Sequence, residues 1–111
     1  MTILEIFEKV NLIIPIEQRI FFNFFEDTVN ELQSLYGDFV FLKEKEYTPP
    51  KRLTDDNVVL PLYHNSIVDN ILFLANKGEH YKSEFMRKSN DAYLTYWNEN
   101  AKGRRIRRMR W

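Results

Sequence analysis

Apolar positions along this chain recur with a helical period for most of its length, and the interruptions in that period divide it into segments. Ile3, Ile6, Phe7 and Val10 fall on one helical face. Thr2 precedes them and Glu5 follows three residues later, the capping-box pattern, so a short first helix is predicted to start at Thr2. Pro15, after Leu12-Ile13-Ile14, suits the first turn of a second helix running from about Ile16 to Tyr36. Its apolar stripe is Phe21, Phe25, Thr28/Val29, Leu32 and Tyr36, and Gly37 is placed to stop it. Phe21, Phe22, Phe24 and Phe25 together span nearly half the helix circumference, wider than one core contact requires. Two readings stay open for them: core alone, or core together with a contact between subunits.

The period changes after Gly37. Asp38 to Lys43 has the composition and length of a strand, and Asn57-Val58-Val59-Leu60 is a candidate partner. Between them, residues 44–57 are polar, with Pro49-Pro50 at the centre and Thr54-Asp55-Asp56-Asn57 as a turn cluster. This predicts a long hairpin-like arm over about 38–60, stiffened toward polyproline II at its prolines. Pro61 opens a third helix, about Leu62 to Asn76, apolar nearly all round and therefore central. Gly78 ends it. A fourth helix, about Glu79 to Asn100, carries Tyr81, Phe85, Ala92, Tyr93 and Tyr96 at helical spacing, and its small residues Ser89 and Ala92 suit close approach by another helix. The fold class is mainly α: a small bundle of about four helices in residues 1–101, with the β-hairpin-like arm, followed by an extended basic tail at residues 102–111.

With 111 residues the chain fits one domain, and 44% hydrophobic with 15% aromatic residues argues against disorder. The absence of cysteine excludes disulfides, thiolate metal sites and thiol catalysis. No apolar run approaches the ~20 residues of a membrane span, and the start lacks signal-peptide features, so a soluble intracellular protein is expected. Catalytic chemistry finds little to stand on. The three glycines stand singly at helix ends and build no phosphate loop. His80 and Glu84 are spaced i, i+4, but two ligands do not make a metal site, and a solvated helix start is the plainer reading. His64 and Asp69 are off helical register as a pair, and Asp55-Asp56 read as turn formers. No nucleophile has a base beside it. Neither a catalytic residue, a metal nor a cofactor is expected, and the aromatic residues of the fourth helix read as core.

Charge changes the picture. All sixteen acidic residues and ten of the sixteen basic ones lie in residues 1–101, giving 10 − 16 = −6, while residues 102–111 carry +6. In Arg104, Arg105, Ile106, Arg107, Arg108, Met109, Arg110 and Trp111 the cations alternate with residue types enriched at interfaces. That composition marks a binding segment. Nucleic acid is one electrostatic partner, which would make the chain a small nucleic-acid-binding regulatory protein with an Arg-rich arm. An anionic membrane surface is another. An acidic body opposes DNA, however, and no nucleic-acid module pattern is present. An acidic groove on a protein suits both halves of the segment, through bidentate guanidinium–carboxylate pairs and apolar burial.

Several runs resemble tailed-bacteriophage head–tail connector proteins, also called adaptor, head-completion or neck proteins. They are Leu60-Pro61-Leu62-Tyr63-His64, Ile67-Val68-Asp69-Asn70-Ile71-Leu72, Ala75-Asn76-Lys77-Gly78, Ser83-Glu84-Phe85-Met86-Arg87-Lys88, and Asp91-Ala92-Tyr93 through Tyr96-Trp97. The likeness covers about residues 58–111 and lies in helix lengths and aromatic placement rather than in a signature motif. It implies a virion structural protein, a helical-bundle subunit of a ring, typically a dodecamer, at the head–tail junction. The partners implied are the portal protein, docked by Arg104 to Trp111, copies of itself, and a downstream neck or tail protein. DNA would pass through the channel without sequence-specific binding, and no membrane is involved. Subunit contacts would then fall to Phe21, Phe22 and Phe24 and, in the arm, to Pro49, Pro50, Lys51 and Arg52.

Overall fold

The computed structural model describes residues 1–75 and 78–100. It is mainly helical, with α1 (Ile3–Ile13), α2 (Gln18–Tyr36), α3 (His64–Leu74) and α4 (Glu79–Asn100), and with two short 3-10 turns and a long loop between α2 and α3. The basic tail at residues 102–111 lies outside the described residues.

Capping chemistry sets the start of α1. The Thr2 backbone N–H donates to Glu5 Oε1 at 2.9 Å, and the Glu5 N–H donates back to Thr2 Oγ1 at 3.1 Å. Ile3, Ile6 and Val10 are buried on its inner face. Pro15 disfavours helical backbone in the residue before it, and Ile14 is extended, with φ −140° and ψ 122°. Pro15 thus ends α1 instead of opening α2. The Asn11 side chain bridges the corner by accepting from the Ile16 N–H at 3.1 Å, and α2 begins at Gln18, two residues later than expected. Phe21, Phe25, Thr28, Val29 and Leu32 are its buried stripe.

The β-hairpin-like arm does not form. Gly37, at φ +71°, turns the chain into a 3-10 turn over Gly37–Val40, where a strand was expected. Among the described residues, pairing between the two candidate strands is confined to one antiparallel bridge, Phe41 with Val59. The Leu42 N–H donates to the Val58 carbonyl and the Leu60 N–H to the Val40 carbonyl, both at 2.8 Å. Two local features stop the ladder from growing. The Leu42 carbonyl, which the next ladder bond from Val58 would use, accepts from the Lys45 N–H at 3.1 Å, and Glu44 has φ +65°, which bends the chain out of register. The segment between is a loop drawn back onto the body: Pro50 is buried, while Tyr47 and Leu53 pack against the core. Asp55 does form a turn, its carboxylate accepting from the backbone of Lys51 and Arg52 at 2.8 and 3.0 Å.

α3 follows the 3-10 turn Pro61–Tyr63 and is the central element, packing against α1, α2 and α4. It is buried continuously from His64 to Leu72 apart from Asn65. α4 lies along it through Phe85, Ser89 and Ala92, all buried and spaced i, i+4, i+7. The missing bulk at Ser89 and Ala92 is what lets the two helices close.

Candidate docking surfaces

The phenylalanine face of α2 divides between interior and surface. Phe21 and Phe25 are wholly inside, Phe21 meeting the Phe7 ring edge-on at 5.2 Å, so neither is available to another subunit. Phe22 and Phe24 are half-buried and lean on the same core. Phe22 also floors a groove of about 480 Å³ whose other wall is Pro49, Pro50 and Lys51. Two stretches far apart in sequence, both singled out as contact candidates, are therefore neighbours in space. Arg52 does not join them and pairs with Asp55 at 3.5 Å. Phe24 is absent from this groove, although its carbonyl accepts from the Thr28 hydroxyl at 2.7 Å.

A second surface lies beside the last turns of α4, and residue patterning gave it no prominence. Tyr36 stacks on Tyr93 at 4.8 Å, Phe39 meets Tyr96 at 5.7 Å and Trp97 at 5.2 Å, and Tyr93 meets Trp97 edge-on. Leu35, Phe39 and Leu94 are between 42% and 51% exposed, enough apolar area to leave this end of the molecule adhesive. Tyr93, Tyr96 and Trp97 are half-buried rather than core. Phe39 lies in a stretch of strand-like composition, Asp38 to Lys43, so helical periodicity gives it no place on this surface. Between this cluster and the long loop runs a groove of about 710 Å³, lined by Phe39, Phe41, Tyr47 and Tyr96 with Asp38, Glu44 and Glu46 among its polar residues. Burial, followed by the nearby Glu26 carboxylate, pushes the Tyr47 hydroxyl well above its ordinary range, so it stays protonated.

Two polar clusters among the described residues bind the interior together across elements. The Met1 amine donates to His64 Nδ1 at 2.7 Å, so the ring proton sits on Nε2, which donates to the Val59 carbonyl at 2.8 Å. Burial pushes the His64 pKa below its usual value, against the opposing pull of the Val59 carbonyl, and the ring is neutral. In the other cluster, Asn70 donates to the Thr28 hydroxyl at 2.9 Å and accepts from Lys82 at 3.2 Å, while Lys82 pairs with Glu31. Lys82 Nζ also lies 4.7 Å from the centre of the Phe85 ring. This set ties α2, α3 and α4 together. On the outer side of α4, Arg87 pairs with Glu84 at 2.6 Å, and His80 lies against Tyr81.

None of these clusters sets a nucleophile against a base. Among the described residues no three His, Asp or Glu side chains converge on a point where a cation would sit, and no helix is long and apolar enough to cross a membrane. The described surface offers aromatic faces, carboxylates and two grooves. No family profile, curated protein or solved structure matches this chain.

Proposed function

We propose that this protein is a virion structural subunit, a ring-forming head–tail connector adaptor. In this reading residues 104–111 dock on a portal protein, the bundle extends the DNA channel, and its far side receives a neck or tail protein. The observation that carries the proposal is the division of charge: −6 over residues 1–101 and +6 over residues 102–111, with Ile106, Met109 and Trp111 set among the arginines. An acidic body repels DNA at short range, which suits a conduit, and the effect is screened over about 8–10 Å at physiological ionic strength. A basic segment bearing apolar anchors suits a socket on another protein. Two further features support it. α4 leads directly into that segment from an apolar end of the molecule, and the Phe22–Pro50 groove offers a lateral contact for a neighbouring copy. The place of action would be the head–tail junction of a virion, after assembly in the host cytoplasm.

Co-sedimentation with purified portal rings tests the reading. The full chain should bind, and a chain lacking residues 103–111 should keep its helical circular dichroism yet lose binding. Trp111→Ala alone should weaken binding by about 2 kcal/mol or more if that ring is a buried anchor. Undiminished binding by the shortened chain would refute the docking role. Steeply salt-dependent binding to DNA at physiological salt would favour the nucleic-acid-binding regulator instead.

A further inference from the structure

The groove beside the end of α4 has no occupant among the described residues, and its chemistry is complementary to a segment of this same chain. We propose that in the free protein residues 104–111 rest in this groove of their own molecule, so that the binding segment is parked before it meets a partner. The inference concerns the unassembled chain and stands whatever the final partner is.

Three observations lead there. First, the lining matches the segment in kind. Phe41 and Tyr47 stack at 5.2 Å with an interplanar angle of 18°, and Phe39 and Tyr96 add two further ring faces. Arginine packs its planar guanidinium on such faces, and Trp111 fits the same apolar floor. Glu44 and Glu46 stand exposed at the rim, where guanidinium forks can pair with them. Asp38, Glu44 and Glu46 outnumber Lys43 and Lys45 in the lining by 3 − 2 = 1, so the local field favours a cation. Second, the volume of about 710 Å³ lies within the ~300–1,000 Å³ typical of ligand sites.

Third, reach and mass action select the occupant. Tyr96 lines the groove and α4 continues to Asn100, about 6 Å further along the helix axis at 1.5 Å per residue. The eleven residues from Ala101 to Trp111 can span up to about 36 Å when extended. Gly103 separates α4 from the segment in the sequence, and a glycine supplies the backbone freedom that such a return would need. A segment tethered this closely is present at an effective concentration on the order of millimolar. A second copy in micromolar solution cannot compete with that, which decides for the chain's own segment over its neighbour's. Because the rim carboxylates are exposed, the attachment is screened by salt and gives way readily to a better socket.

The chain contains no cysteine, so Met109→Cys gives one unique position for a nitroxide spin label. In the ¹⁵N-labelled full chain, without any portal protein, amide signals of Phe39, Glu44, Glu46 and Tyr47 should broaden and should recover on reduction of the label. Raising NaCl to about 0.5 M should restore most of the lost intensity. Glu44→Gln with Glu46→Gln, changes at exposed positions, should reduce the broadening severalfold. A mixture of spin-labelled unenriched chain with unlabelled ¹⁵N chain should show none. Broadening of these signals in the mixed sample would assign the groove to a second copy and overturn the proposal. So would broadening centred elsewhere, or none. The portal experiment is read separately, so either idea can fail without the other.

Discussion

Gly37 sits at φ +71° and ψ −155°, and a Cβ placed there would meet no atom within 4 Å. The demand at this position is therefore one of backbone conformation, not of space. Gly37→Ala should destabilise the fold by about 1–3 kcal/mol, read as a lower urea midpoint with an unchanged slope. His64 makes the opposite kind of demand, since its ring must stay uncharged to keep accepting from the Met1 amine. Its folded pKa lies below the unfolded 6.5, so the unfolded chain binds the extra proton first. The stability it contributes is present above pH 6.5 and is lost as pH falls from there through the folded value. Thermal unfolding should report a falling midpoint in that window, and His64→Gln should flatten the fall. At this scale, sequence reading succeeds where partners are close. Thr2 and Glu5 find each other three residues apart, and Asp55 caps its own turn, as the pattern predicts. The contacts of His64 with Met1 and Val59, 63 and 5 residues away, leave no periodic trace and are visible only in three dimensions.

Among the elements, α4 matches its predicted bounds and α3 its predicted burial, because helical periodicity over many residues is a strong signal. The close approach foreseen at Ser89 and Ala92 is present as well. Ser89→Leu should therefore wedge α3 and α4 apart at a cost of about 1–3 kcal/mol, detectable by thermal unfolding, whereas Ser83→Leu on the exposed face should change little. The arm departs from its predicted form for a reason that composition cannot reveal. Asp38 to Lys43 carries strand-forming side chains, but the turn imposed by Gly37 and the Lys45 N–H on the Leu42 carbonyl leave room for one bridge. At Pro15 a subtler competition sets the boundary. A proline can open a helix or end the one before it, and Ile14 in the extended region decides for the second.

For the molecule as a whole, the balance of charge fixes solution behaviour before any partner is present. The sequence isoelectric point is about 6.7, so the full chain should be least soluble near neutral pH. Removing residues 103–111 takes away five arginines, leaving 11 − 16 = −5, and turbidity measured against pH should show the minimum displaced to more acidic values. The phenylalanine cluster and the proline pair were legible as candidate contacts, and their meeting across the 480 Å³ groove was not, because it depends on how the loop folds back. The aromatic end of α4 was legible as aromatic but not as surface, since periodicity reports a helix face without saying how far its partners extend.

The central place of α3 also sets the timetable of biosynthesis. α1 hides Ile3, Ile6 and Val10 in a core that includes Ile67, Ile71 and Leu72, which the ribosome supplies some sixty residues later. At about 5–20 residues per second, those apolar faces wait several seconds for a mate. Through that interval the nascent chain is a natural client for chaperones, and lasting closure comes only once the second half has emerged.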